Sequence, residues 1–329
     1  MSFKLFIALA LSVLSTTAMA CDVTVPSGGS ITNAVNSLST SGGKVCLQNG
    51  TYFISDFRLT KDNVHIQGQG RGQTTVYASG SRGISVRGKN ATLSRFSLIG
   101  NGGTRASRTF GILSYDTSNV NIWTLDIEQF KISVGVNLSS QVKISNVWAN
   151  HNGDPNNESA GGTSGSDPHI WISKSQFVDV KYGNYYGQAD GYKPGGDGEL
   201  AAYDSTFVNF DSTYVWNSGA SGIYLVNCDN CSIRNTRVAN ADGWGLDVVG
   251  GSNNFSASGN IVDGARFSAV IFHEDVNGPG VFSNNQFWGS NNYSGVGNCP
   301  AINVRGNLTN VTLFGNTNYD SGPIACRRR

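Results

Sequence analysis

The sequence predicts an all-β fold: one stack of short strands behind a short N-terminal capping helix, forming a single domain. Three observations carry that reading. Of 329 residues, 42 are Gly and 35 are Asn, residue types that are poor in helix interiors and at home in turns. A self-similar unit of alternating apolar residues recurs along the chain. Only one stretch, Ile31 to Leu38 (ITNAVNSL), shows helical spacing, and it sits where an N-terminal cap would cover the open strand edge.

Taken in order, residues 1–20 read as a secretory signal. Lys4 gives the positive n-region, Leu5 to Leu14 the apolar h-region, and Ala18-Met19-Ala20 a small-residue cleavage site. The stretch is too short to span a bilayer, so a mature, exported and monomeric chain of residues 21–329 is expected. All six cysteines lie in that part, an even number on an oxidising route. Cys21–Cys46 and Cys299–Cys326 are expected to pair by proximity, and Cys228-x-x-Cys231 reads as a structural bridge. Nine sequons (Asn49, Asn90, Asn137, Asn157, Asn230, Asn254, Asn292, Asn307 and Asn310) would carry glycans in a eukaryotic host. Lys+Arg against Asp+Glu is 23 to 22. A neutral chain lacks the electrostatic footprint for nucleic acid or an anionic membrane, so neither is an expected partner.

The repeat is clearest where GILSYDTSNVNIWTLDI from Gly111 is set against GIYLVNCDNCSIRNTRV from Gly222. Further copies open at Gly83, Ser133, Gly245 and Ala301. Each is a short strand, a polar turn, a second strand and a variable loop. One unit cannot bury its own apolar face, but stacked units can. Ile112, Val134, Ile223, Leu246, Val270 and Ile302 are expected in one inward column, with Asn side chains stacking into amide ladders at the turns.

The opening SITNAVNSLSTSGGKVCLQNGTYFI…NVHIQGQG resembles the start of secreted proteins of the pectate-lyase (pectin-lyase-like) superfamily. That resemblance implies a right-handed parallel β-helix over residues 21–329. It leaves chemistry open, because the superfamily holds lyases, hydrolases, epimerases and non-catalytic adhesins.

Outward residues of successive strands should share one face. Setting Gly191-Tyr192-Lys193 against Gly222-Ile223-Tyr224, Gly245-Leu246-Asp247 and Ala269-Val270-Ile271 points Lys193, Tyr224 and Asp247 outward from neighbouring rungs, with His273 two residues beyond Ile271. A cation, a hydroxyl, a carboxylate and an imidazole in one groove are the parts for abstracting a proton beside a sugar carboxylate. Lys193, Tyr224, Asp247 and His273 are therefore the catalytic candidates. Tyr192, Trp244, Asp190, His169 and Arg305 are the substrate-binding ones, although Trp244 also reads as cover for the stack and His169 as loop packing. Asp190, Asp197 and Glu199 around a Gly-rich turn could hold Ca²⁺.

The stretch from Gly191 to Gly198, GYKPGGDG, is similar to a motif of mannuronan C5-epimerases, which also carry Asp-Pro-His; here Asp167-Pro168-His169 precedes the glycine stretch instead of following it. Ala241-Asp242-Gly243-Trp244-Gly245-Leu246-Asp247 is similar to a pectate-lyase run, lacking its second Asp. The paired carboxylates of the fold's glycoside hydrolases are absent as a motif. The expectation is a polysaccharide lyase on pectate or alginate. The alternatives are a C5-epimerase, a non-catalytic glycan-binding β-helix and a glycoside hydrolase.

Overall fold

The computed structural model describes residues 20–100, 110–150, 168–187, 198–273, 276–289, 301–305, 307–319 and 325–327. Alternation places every second side chain of each strand on one side, and parallel in-register pairing turns those side chains into columns. The expected column forms: Ile112 pairs with Val134, Leu246 lies between Ile223 and Val270, and Val270 pairs with Ile302. Ile84, Ile170 and Leu200 complete it. Two more inward columns run along the other faces, one through Val45, Ile66, Leu93 and Ile122, the other through Tyr52, Val76, Leu98 and Ile127. The three meet in a dry core where most of these side chains are fully buried. Described strands thus form a parallel β-solenoid, with Ala325–Arg327 pairing to Ile302–Val304 at its C-terminal end.

The Asn-rich corners have a backbone reason. Asn63, Asn90, Asn119, Asn217, Asn240 and Asn254 all take left-handed φ values, a region that Asn tolerates better than most residues. Their amides stack as expected: Asn119 donates to Asn90, and Asn90 to Asn63. Inside the stack Asn260 donates to Asn285, and Asn285 to Asn316, while each amide also caps a backbone carbonyl. Gly245 follows from close packing, since a Cβ there would run into Val262 and the backbone of Ala269.

The helix forms at Ile31–Ser37, its first turn capped by Ser30, with Ile31, Ala34 and Val35 buried against the first strands. Cys21–Cys46 and Cys228–Cys231 are disulfides. The expected Cys299–Cys326 bridge and the signal segment up to residue 19 lie outside the described residues.

Candidate functional site

In strand Leu246–Val249 the alternation sends Leu246 and Val248 into the core and Asp247 to the opposite side. Asp247 is nonetheless only 3% exposed, and a buried carboxylate must find donors. The Ser221 hydroxyl donates to its Oδ2 at 3.1 Å. Nε2 of His273 lies 3.4 Å from its Oδ1, and that imidazole keeps 23% exposure. One strand further on, Nη1 of Arg305 reaches 3.5 Å from His273 Nδ1. The Trp244 indole meets the His273 ring edge-on at 4.8 Å, lies 5.7 Å beneath the Arg305 guanidinium, and rests on Phe267 at 5.1 Å.

Asp247 Oδ1 is buried without a hydrogen bond. A carboxylate only accepts, so a neutral His273 carrying its proton on Nε2 would turn a donor toward it and leave the Nδ1 lone pair to the Arg305 N–H. Arg305 is exposed at the rim. An imidazole thus stands between a buried carboxylate and a guanidinium, a combination that can move a proton and attract an anion.

Of the sequence candidates, Asp247, His273, Trp244 and Arg305 are brought together. Tyr224 pairs in register with Asp247 and packs its ring edge-on to Tyr203 at 5.7 Å. The expected alignment of Lys193 with Tyr224 is corrected: Leu200 pairs with Ile223, so Ala201 holds the position assigned to Lys193. The strand there is Leu200-Ala201-Ala202, without the Gly-Ile signature used to align the units. Lys193, Tyr192, Asp190 and Asp197 lie outside the described residues.

Of its two expected readings, His169 fits packing and not substrate binding. It is 1% exposed and so does not present itself to a ligand. Its Nδ1 meets the Ser133 hydroxyl at 3.2 Å, and its Nε2 lies 3.4 Å from Oε2 of Glu199. Burial pushes its pKa down to about 4, with a backbone hydrogen bond to Tyr186 opposing. Glu199 is 2% exposed. Its carboxylate is turned to His169, and the other two residues of the expected calcium set, Asp190 and Asp197, lie outside the described residues. Among the described residues no group of three or more acidic, His or Cys side chains is arranged to hold a metal ion.

Ser221 was missed by sequence reasoning. It is one serine of many before a Gly-Ile pair, and only register places it beneath Asp247.

The sequence matches no protein-family model and no curated relative. Solved structures do match. The A-module of a mannuronan C-5 epimerase from Azotobacter vinelandii is 13% identical with a TM-score of 0.53, covering 94% of this chain and 100% of its own. The endo-xylogalacturonan hydrolase of Aspergillus tubingensis is 13% identical with a TM-score of 0.61, covering 94% of this chain and 99% of its own. A PL6-family alginate lyase is 13% identical with a TM-score of 0.56, covering 85% of this chain and 40% of its own. In fold, the chain is a right-handed parallel β-helix, as these structures are.

Proposed function

We propose that the protein is an exported enzyme acting on an acidic, uronate-containing polysaccharide such as pectate or alginate, and that it removes the proton at C5 and eliminates. The observation that carries this is the Asp247–His273–Arg305 cluster, three polar residues from three successive rungs gathered around Trp244. Similarity in fold to an epimerase, a lyase and a hydrolase that are named for polysaccharides supports the substrate class without choosing the reaction.

In this reading the Arg305 guanidinium pairs with the substrate carboxylate and so acidifies C5. As Arg305 turns from His273 Nδ1 to that carboxylate, the freed Nδ1 takes the C5 proton, and the C–H electron pair moves into the carboxylate as an enediolate. Asp247 stabilises the imidazolium that forms. When the pair returns, the C4–O bond breaks, a C4=C5 double bond forms, and the leaving oxygen takes a proton from the Tyr224 hydroxyl. Trp244 offers an aromatic wall for the sugar ring. Calcium enters only as a separate proposal on Asp190, Asp197 and Glu199; activity lost to a chelator and restored by added Ca²⁺ would support it.

The test is incubation with pectate and with alginate, following the ultraviolet absorbance of unsaturated chain ends. Rising absorbance supports elimination. An altered uronate composition without absorbance makes the protein an epimerase, and new reducing ends without absorbance make it a hydrolase. No change in any uronate polymer, with binding retained, makes it a glycan-binding β-helix.

A further inference from the structure

The same face carries a second constellation nearer the N-terminus. Leu113, Gly135 and Trp171 succeed one another in the outward column that continues through Ala201 and Tyr224 to Asp247. Gly135 contributes no side chain, and the Phe110 ring fills part of the notch; a Cβ at Gly135 would collide with it. Phe110 and Trp171 face each other across the gap with ring centroids 6.0 Å apart and planes tilted by 48°.

In the next outward column the Arg87 guanidinium lies 4.6 Å above the Tyr115 ring, and Asn137 follows Tyr115 in register. Arg82 is in register with Phe110 at the other margin. Together these residues line an open cavity of about 360 Å³.

Two cations converge there on a chain with only one net positive charge. Among the described residues neither guanidinium is in an ion pair. Asp56, the nearby carboxylate, accepts from the Arg82 backbone N–H and from Ser81. Aromatic walls beside arginines suit a ring that bears a carboxylate, since Arg binds carboxylate as a planar fork while the rings take the apolar face of the sugar. Four register steps separate Gly135 from Asp247, about 19 Å at one strand spacing per step.

We propose that this cavity is a remote binding subsite for a uronate unit of the same polysaccharide chain whose reacting unit lies at Asp247 and His273. The proposal rests on the function proposed above. It makes the enzyme a reader of chain length: a long polymer engages both places at once, whereas a short oligosaccharide engages one. The gain is one of effective concentration, since a chain held at one end presents its other end locally.

The experiment compares wild type with Arg82→Ala/Arg87→Ala, both substitutions on the surface, with folding checked by circular dichroism. Oligogalacturonates and oligomannuronates of increasing length serve as probes in calorimetry, and as substrates where turnover exists. The double variant is expected to bind long oligomers about tenfold or more weakly, as loss of a charge-assisted pair implies, with the deficit growing with length and kcat kept. Equal binding by both proteins at every length overturns the subsite. So does the same loss for neutral glucan oligomers, which carry no carboxylate. If no polymer is turned over but uronate binding is still lost in the variant, the proposed reaction fails while the subsite stands.

Discussion

Asp247→Asn is the most informative single change, because it keeps the shape of a side chain that is 3% exposed while removing its charge and turning one acceptor oxygen into an amide donor. In the proposed reaction the imidazole of His273 becomes cationic 3.4 Å from that carboxylate. A Coulomb attraction at this distance is about 5 kcal/mol at an effective dielectric of ~20. The 23% exposure of His273 lets solvent screen part of it, leaving about 2–3 kcal/mol. Lost from the transition state alone, that lowers kcat about 30- to 160-fold. KM should hardly move, since Asp247 is buried behind His273 and does not meet the substrate. Initial rates of chain-end unsaturation on purified wild type and variant measure both constants. A kcat within threefold of wild type, or a rise in KM with kcat intact, would falsify the assignment of Asp247 as the partner of the base.

Other expectations follow the same structure. Ser221→Ala removes the donor to Asp247 Oδ2 and should lower kcat about fivefold with KM unchanged, in line with one lost hydrogen bond; no change would remove Ser221 from the positioning of Asp247. His169, held neutral with its pKa pushed down to about 4, binds fewer protons folded than unfolded. Its stabilising contribution is therefore full above pH 6.5 and declines as pH falls towards 4, by about 3 kcal/mol at most. Melting temperatures from pH 7 to pH 4.5 should fall less steeply in His169→Gln, and equal slopes would refute this. Asn285→Ala strips partners from the buried amide of Asn260 and the half-buried one of Asn316 and should cost about 2–4 kcal/mol in urea denaturation. Phe210→Ala, fully buried in a core column, should cost about 3–5 kcal/mol.

Register decided what could be read from the sequence. The column from Ile112 to Ile302 was legible because its members follow Gly, Ser or Ala at a repeated offset, small residues that the closely packed corner requires. The same offset carried Asp247, His273 and Arg305 onto adjacent rungs. At two rungs that small position holds His169 and Glu199 instead, buried against each other. With the marker gone, the loop before Leu200 could not be measured by pattern, and Lys193 was assigned the position that Ala201 holds. The pairing of Arg87 with Tyr115 and the notch at Gly135 were illegible for a different reason. They depend on which side chains stand next to each other across rungs, and on one that is missing.

A solenoid has no centre, since each turn leans only on the turns before and after it. Asp247, His273 and Arg305 sit on three neighbouring turns, with Leu308–Phe314, Thr317–Asn318 and Ala325–Arg327 following them among the described strands. Warming that parts only these few turns would therefore undo the cluster while most of the ladder stays zipped. Such a protein would fall silent as a catalyst well before a spectrometer recorded it as unfolded, and its working lifetime would be set by how firmly those few turns are fastened.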